Sequence, residues 1–394
     1  MYAMKTLHNK KILTFYTKKQ VCFEGIKTRS YSQSPLKPYL LMKKIKKGQY
    51  SDMLEITEDF KPYTKEDFLI AHTKKYVNNM FKGKGNCNSN GIPWSENLVE
   101  SLTYTNAALH NAVRYSFTHP EQVTFAPVSG MHHARPNYGS GFCTFSGQVI
   151  SAIKMYEEFG AVGAYFDLDG HYGNSIEDAR AFNPKINHAI PVGNNVNIRG
   201  ITGDDYVEMM YNELSRIGYG IFTGKIHYVV FAHGCDSHID DDLSAGVCDT
   251  QHWLKCSTLF AEWVKEIELF TCKPLPITLA LFGGYRKDNY NAVLDLHTKS
   301  LLQISNIVCG NEYKDTLIIP NKHKPEFLDS AYSYFENKVE GDVDIENFEE
   351  QVRTFHHKKP NRNGSDRLKG GREWKTSYLD YKRNQRIKLF GTDD

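Results

Sequence analysis

This chain of 394 residues lacks the features that mark several large classes of protein. No apolar run approaches the roughly 18 residues that a membrane-spanning helix needs, so we expect no membrane partner. The N-terminus carries lysines but no apolar stretch follows them, so we predict no signal peptide. The eight cysteines are scattered and form no CxxC pair. That pattern is typical of reduced thiols and predicts a cytoplasmic location.

An excess of charge of one sign is also missing. Lysine and arginine number 48 against 46 acidic residues, so the formal net charge is only +2. The chain as a whole therefore gives no electrostatic indication of a nucleic-acid partner. Residues 351–394 are the exception, because they hold twelve basic and five acidic residues. This basic tail indicates nucleic acid or an acidic partner weakly, and its aromatic residues favour packing onto the rest of the chain equally well.

Strand and helix patterns alternate through the middle of the sequence. Segments with helical spacing separate four apolar runs, at 123–126, 162–168, 226–232 and 276–282, which predict buried strands. This order predicts an α/β protein of three layers, with helices on both faces of a parallel sheet. Upstream of these runs, residues 64–77 are predicted to form one helix with Thr64 as its N-cap.

The residues after the second apolar run have a pattern that suits a metal ion. Asp167, Asp169 and His171 alternate along the chain. Alternate side chains of an extended segment point the same way, so these three can converge at the end of one strand. Two carboxylates and an imidazole suit a divalent cation, above all zinc with an open fourth position. A salt-bridged strand end is the alternative that the motif by itself leaves open.

Two further runs deliver residues that fit the same chemistry. His132 and His133 follow the run at 123–126, where they are either a structural pair or a general base with an electrostatic partner. Asp236 follows the run at 226–232 and is either a turn residue or a third metal ligand beside Asp169 and His171.

The last apolar run leads into Gly283, Gly284 and Tyr285. Glycines let the backbone pass close to a ligand, and the tyrosine hydroxyl can then stabilise an oxyanion. A simple turn with a packed tyrosine is the alternative.

The order of these elements resembles that of a known superfamily. The sequence Gly-Met-His-His-Ala at 130–134 comes first and Gly-Phe-Cys at 141–143 second, followed by the D-x-D-x-H-x-G-N motif at 167–174 and Gly-Gly-Tyr at 283–285. Together they resemble the zinc-dependent deacetylases of the histone deacetylase and acetylpolyamine amidohydrolase superfamily. Their joint occurrence in this order is highly specific.

The resemblance implies an α/β fold of the arginase–deacetylase type, with a parallel sheet of about eight strands. It implies a deacetylase catalytic domain over residues 1–320 and a C-terminal helical or basic extension over residues 321–394. The implied activity is hydrolysis of the amide of an acylated amine by metal-activated water. The implied substrate is acyl-lysine in a protein or a small acylated amine such as an acetylpolyamine.

The resemblance also implies roles for individual residues. One catalytic Zn²⁺ would be held by Asp169, His171 and Asp236. The tandem histidines would be His132 and His133, with His133 as the general base.

Further implied roles surround that centre. Asp167 would steady His132 and help to hold a structural K⁺, and Asn174 would orient His133. Tyr285 would polarise the scissile carbonyl. The substrate-binding residues would be Gly141, Phe142, Gly283 and Gly284, the first two as part of a narrow acyl-lysine tunnel.

Some positions depart from the family pattern. Tyr172 stands where the family usually has a second histidine, and Gly170 replaces a larger residue. The segment between Asn174 and Asn195 is shorter than usual, and this region normally supplies the second aromatic wall of the tunnel. We therefore expect a wider or differently walled tunnel. The family's rim aspartate aligns loosely with Gly91, so we do not expect the usual recognition of the peptide backbone.

Three alternatives remain open at this point. A polyamine substrate predicts an acidic funnel to which Glu177, Asp178 and the run Asp240–Asp242 contribute, whereas such a run is otherwise a solvated turn. A catalytically impaired module that only binds acyl-lysine would keep the same pocket. An arginase-like enzyme would bind two manganese ions through a richer set of ligands, which this sequence does not offer.

Overall fold

The structure, a computed structural model, describes residues 7–24, 35–243, 246–320 and 322. Within these residues seven strands form one sheet, and every pair of neighbours is parallel. The strands are β1 (Ile12–Phe15), β2 (Leu54–Thr57), β3 (Thr124–Ala126), β4 (Gly163–Asp167), β5 (Asn195–Asn197), β6 (Tyr228–Ala232) and β7 (Ile277–Ala280). Their order across the sheet is β2-β1-β3-β7-β6-β4-β5.

The described part of the chain also forms nine α-helices. They are α1 (Lys37–Lys47), α2 (Lys74–Lys82), α3 (Glu96–Thr118), α4 (Gly147–Phe159), α5 (Ser175–Ala179), α6 (Ile186–Ala189), α7 (Gly203–Phe222), α8 (Thr250–Thr271) and α9 (Tyr290–Val308). None of them combines the length and the apolar character needed to cross a membrane.

Successive side chains of β4 pack against helices on opposite faces of the sheet, as the two-residue period of a strand requires. The Tyr165 hydroxyl donates to the carbonyl of Gln148 in α4 (3.5 Å). The next ring, Phe166, lies 6.0 Å from Trp263 of α8. Both faces are therefore covered, and the predicted three-layer α/β fold is confirmed. The described residues contain seven strands rather than about eight, and the short segment between β4 and β5 forms α5 and α6.

The four central strands end at one level. In the sheet register Ala126 lies beside Ala280, Ala280 beside Ala232, and Ala232 beside Asp167. The carboxyl ends of β3, β7, β6 and β4 are thus neighbours, and ligands of open α/β sheets bind beyond such ends. The four polar segments singled out in the sequence follow these four strands.

The helix predicted over residues 64–77 is wrong. Thr64 caps no α-helix, because its N–H and hydroxyl both donate to Asp67 Oδ2 (2.6 and 3.1 Å). The α-helix begins only after Thr73, whose hydroxyl accepts the Tyr76 N–H (3.3 Å). Tertiary contacts interrupt the helical pattern: the buried His72 ring contacts the Arg135 carbonyl and accepts the Ser146 N–H, both at 2.9 Å.

Two predictions are not tested by the described residues. The C-terminal extension over 321–394 has only residue 322 described, so the boundary at 320 stays a prediction. Nothing in the fold tests the cytoplasmic location, which also stays a prediction.

His72 should make the stability of the fold depend on pH. Burial lowers the pKa of His72 from 6.5 to about 4. Between these values the unfolded chain binds a proton that the folded chain does not, so the free energy of unfolding falls as the pH drops through this window. A shift of this size corresponds to on the order of 3 kcal/mol. Chemical denaturation across the window should show a shallower pH dependence in His72→Gln.

The exposed His188 provides the matched control, because His188→Gln should keep the slope of the wild-type protein. A residual slope is expected in His72→Gln, since burial also lowers the pKa of His110 to about 4. An unchanged slope in His72→Gln would contradict the assignment.

Candidate active site

Three residues that can hold a metal ion converge beyond β4 and β6. Asp169 and His171 follow β4, and Asp236 lies in the short 3-10 turn Cys235–Ser237 after β6. Their ligand atoms lie within 4.8 Å of one another. His171 Nδ1 is 2.8 Å from Asp236 Oδ2 and 3.3 Å from Asp169 Oδ1. The structure therefore brings together all three ligands that the sequence predicts.

Glycines let the segments that carry these ligands approach closely. The Gly170 N–H donates to Asp236 Oδ1 (3.0 Å), and the Gly283 N–H donates to Asp169 Oδ2 (2.8 Å). A Cβ at residue 170 would lie 2.7 Å from the Asp236 carbonyl oxygen, and one at residue 283 would lie 2.2 Å from Asp236 Oδ1. The departure at Gly170 thus has a steric reason, because a larger residue would push the two ligand segments apart.

The charges of the three residues fit a divalent cation. Asp169 is 3% exposed and Asp236 is fully buried. Burial, with the nearby charge of Asp169, raises the pKa of Asp236 to about 8. Hydrogen bonds to Asp169 and Asp236 raise the pKa of His171 to about 10. The carboxylates therefore need positive charge between them, and two carboxylates with one imidazole form a donor set that suits zinc.

The tandem histidines lie beside this set and differ in charge. Their ring centroids are 4.0 Å apart, and His132 Nδ1 is 2.8 Å from Asp167 Oδ2. Burial alone would lower the pKa of His132, but the charges of Asp169 and Asp167 outweigh it and raise the pKa to about 9. Burial and the charge of His132 lower the pKa of His133 to about 4. At neutral pH His132 is a cation and His133 is a neutral base.

Asn174 fixes the tautomer of His133. Asn174 Nδ2 donates to Asp178 Oδ2, and a carboxylate oxygen only accepts, so Oδ1 is the atom that faces His133. This oxygen is 2.9 Å from His133 Nδ1, which must therefore carry the proton. Nε2 is left with its lone pair, as a general base requires. Asp178 acts here through Asn174, a link that sequence reasoning missed.

Both oxygens of Asp167 accept hydrogen bonds from the protein. His132 donates to one, and the Asp169 N–H donates to the other (3.2 Å). These contacts place Asp167 against His132, and its role of steadying His132 stays a prediction. No contact tests the structural potassium, which stays a prediction.

Tyr285 closes the site on the side of β7. Its side chain is buried, and its ring lies 5.7 Å from the ring of Phe142. Burial, with the charges of Asp169 and Asp236, raises its pKa well above 10. The phenol therefore keeps its proton and can donate it in a hydrogen bond.

The predicted tunnel residues Gly141 and Phe142 lie next to the catalytic candidates. A Cβ at Gly141 would be 2.5 Å from the ring of His133, and the Phe142 N–H donates to the Asn90 carbonyl (2.8 Å). Phe142 has φ +62°, a left-handed conformation that is uncommon for a residue with a side chain. The Phe142 ring lies against the ring of Tyr285.

The opposite side of the site is open. The side chain of His171 is 42% exposed although it is a candidate metal ligand. Tyr172 is 48% exposed, and the Arg199 guanidinium lies 5.6 Å from the centre of its ring. Nothing in the sequence pattern singled out Arg199. The exposure of His171 supports the expectation of a wider or differently walled tunnel.

The acidic run is neither a solvated turn nor a free acidic funnel. Its three carboxylates contact the segment that follows Gly284: Asp240 pairs with Arg286, Asp241 accepts the Tyr285 N–H, and Asp242 accepts the Lys287 N–H. The other two acids of the predicted funnel pair with arginines, Glu177 with Arg180 and Asp178 with Arg135.

A donor set of two carboxylates and an imidazole, a charged and a neutral histidine, and a buried phenol lie together at the carboxyl ends of a parallel sheet. This arrangement defines a class of α/β proteins with a site suited to metal-assisted hydrolysis. Comparison with known proteins narrows the class.

A family model described as the histone deacetylase domain matches residues 32–190. Over 135 residues the chain is 40% identical to histone deacetylase 8 of Xenopus laevis, a match that covers 34% of each protein. It is 24% identical over 132 residues to histone deacetylase 8 of Xenopus tropicalis, covering 31% of this chain and 36% of that protein. The crystal structure of the HDA15 HD domain is similar at a TM-score of 0.58 and 14% identity, covering 76% of this chain and 89% of that one.

The family match, the relatives and the fold support the histone deacetylase and arginase–deacetylase superfamily for this chain. It spans only about a third of the length of the curated relatives named above. The segment matched by the family model contains the tandem histidines and the D-x-D-x-H-x-G-N motif but ends before Asp236 and Tyr285. The positions of these two residues therefore come from the fold of this chain.

Asp236→Ala should abolish stoichiometric metal binding. Loss of a direct ligand should weaken affinity by more than the ~10–100-fold that loss of a supporting hydrogen bond costs. Mass spectrometry of protein dialysed against a defined free zinc concentration measures the metal content. The matched control is Asp204→Ala, since the side chain of Asp204 is 85% exposed. Unchanged stoichiometry in Asp236→Ala would remove Asp236 from the ligand set. Two manganese ions in the wild-type protein as purified, before this dialysis, would favour an arginase-like site.

Proposed function

We propose that this protein is a zinc-dependent deacylase that hydrolyses the amide of acyl-lysine. One observation carries the proposal: His132, His133 and Tyr285 lie around the donor set of the candidate metal site, with His132 held by Asp167 and His133 by Asn174. A base, a positive charge and a hydrogen-bond donor are the three groups that amide hydrolysis requires.

Each of these groups has a distinct task in the proposed reaction. When bound, zinc would supply a water of lowered pKa and polarise the carbonyl. His133 Nε2 takes the proton of the attacking water and returns it to the leaving amine. As the carbonyl oxygen gains negative charge, the Tyr285 hydroxyl donates a hydrogen bond to it. The cationic His132 stabilises the negative charge that develops nearby.

The contacts of the acidic residues favour acyl-lysine over an acetylpolyamine. A polycationic amine would need carboxylates that face the substrate. All five acids considered for that role are engaged elsewhere: Glu177 with Arg180, Asp178 with Arg135 and Asn174, and the run Asp240–Asp242 with the segment after Gly284.

Tyr285→Phe should keep the metal and the fold but lose most of the activity. Removing one donor to a developing oxyanion typically lowers the rate by about 10²–10³. Turnover is measured on one panel of acetyl-lysine peptides and acetylated polyamines with the zinc-loaded protein. The matched control is Tyr115→Phe, which alters a partly exposed phenol on α3.

The outcomes of this experiment separate the candidate functions. Activity that persists in Tyr285→Phe would contradict the oxyanion role, and preference for acetylpolyamines would contradict the substrate assignment. Absence of turnover by the fully zinc-loaded wild-type protein would favour the module that binds acyl-lysine without hydrolysing it.

The open side next to His171 should make the protein tolerant of larger acyl groups. In a closed apolar pocket one extra methylene typically changes kcat/KM by about 10–200-fold. Because the His171 side is open, we expect butyryl-lysine to lie within ~10-fold of acetyl-lysine in one peptide context. Competition between the two peptides measures the ratio. A strong preference for acetyl-lysine would show that the open side is closed when substrate binds.

A further inference from the structure

The segment that carries Tyr285 has an unusual backbone. Phe282 has φ +111° and Gly284 has φ +133°. Such a φ is unfavourable for a residue with a side chain, as Phe282 is, and persists only where surrounding contacts enforce it. The Phe282 ring is buried 5.1 Å from the ring of His132. Contacts with other parts of the chain must therefore hold this segment.

Three consecutive acidic residues contact three consecutive residues of this segment. Asp240 Oδ2 is 3.1 Å from Arg286 Nη1, Asp241 Oδ2 accepts the Tyr285 N–H (2.5 Å), and Asp242 Oδ2 accepts the Lys287 N–H (2.6 Å). Each acid contacts a different residue of the segment, so the acidic run holds three neighbouring residues of the segment at once.

Asp241 is central to this set. One carboxylate oxygen accepts the Tyr285 N–H, and the other accepts the Leu243 N–H (3.0 Å). Hydrogen bonds to a carboxylate are shorter and stronger than those between neutral groups. Asp241 thus links the main chain of Tyr285 to the main chain of Leu243.

Lys37 holds the same segment from the opposite side. Its side chain is fully buried, and Nζ donates to the carbonyl of Phe282 and to that of Gly283 (2.9 Å). Nζ also lies 5.7 Å from the centre of the Tyr285 ring. The carbonyls of Phe282 and Gly283 thus accept hydrogen bonds from the Lys37 side chain of α1, while the N–H groups of Tyr285 and Lys287 donate to the acidic run.

The loop that carries the acidic run also carries a candidate metal ligand. Asp236 lies only a few residues before the acidic run, and the Gly283 N–H of the bent segment donates to Asp169 (2.8 Å). The position of the phenol is thereby tied to the position of the ligand set.

We propose that Asp241 is a positioning residue that aims the Tyr285 hydroxyl at the carbonyl oxygen of the substrate. Asp240, Asp242 and Lys37 hold the same segment, and we call these four residues the clamp. This inference rests on the proposed function for its catalytic consequence. It assigns to the acidic run a role other than binding a cationic substrate.

A double-mutant cycle of Asp241→Ala and Tyr285→Phe tests the proposal. Asp241→Ala should lower kcat by at least ~10-fold with little change in KM, because the lost interaction forms only in the transition state. In the Tyr285→Phe background the same change should have almost no further effect. Asp241→Asn should restore only part of the activity, since its amide oxygen can still accept the Tyr285 N–H but its NH2 group would face the Leu243 N–H. If the fold-reductions in kcat of the two single variants multiply in the double variant, the proposal is overturned.

A binding measurement separates this inference from the proposed function. Acetohydroxamate is a metal chelator whose carbonyl oxygen can accept the Tyr285 hydroxyl, and calorimetry on the zinc-loaded protein gives its affinity. Asp241→Ala and Tyr285→Phe should weaken binding by similar factors that do not multiply. If the losses of acetohydroxamate affinity do not multiply but the protein turns over no substrate, the result supports the clamp and contradicts the deacylase. If the protein turns over substrate but the losses of affinity multiply, the result contradicts the clamp alone.

Two further variants guard against a trivial loss of fold. The exposed acid is removed in Asp204→Ala, which should change neither kcat nor affinity for acetohydroxamate. If Asp241→Ala fails to bind zinc or to unfold cooperatively, Asp242→Ala enters the same cycle, because it removes the neighbouring contact to the Lys287 N–H. If the losses of kcat or of acetohydroxamate affinity multiply in that cycle, the proposal is overturned as well.

Discussion

Repulsion between two buried carboxylates is the constraint on which this site depends. Asp169 and Asp236 are both almost fully buried, and their ligand atoms lie within 4.8 Å together with that of His171. Isolated buried charges are very unfavourable, so each must find positive charge or N–H donors. The structure supplies N–H groups from Gly170 and Gly283, and a divalent cation is the remaining partner that the donor set fits.

The same negative charge sets the chemistry of the histidine pair. It keeps His132 charged despite burial, and the charge of His132 in turn helps to keep His133 neutral. The residue behind His133 is Asn174, which fixes the tautomer but adds no charge of its own. A neutral base and a cation 4.0 Å apart therefore follow from one arrangement of carboxylates, and no separate device is needed for each histidine.

Local patterns explain which parts could be predicted from the sequence. The alternation in Asp167-Leu-Asp-Gly-His171 and the apolar runs are short-range features, so they predicted the strands and the ligand set. The helix over 64–77 failed because His72 is held by Arg135 and Ser146, residues far along the chain. The acidic run and Lys37 were misread or missed for the same reason, since their partners lie more than forty residues away.

The part of the chain beyond the family match is constrained by the site as tightly as the part within it. The match ends at residue 190, whereas Asp236 and Tyr285 lie further on. The loop of residues 235–243 carries both Asp236 and Asp241, and Asp241 binds the main chain of Tyr285. Any displacement of this loop would move a candidate metal ligand and the phenol together. The geometry of Asp236 and Tyr285 can therefore persist where sequence similarity has faded, because it is fixed by hydrogen bonds between backbone and carboxylate rather than by the identity of the surrounding side chains.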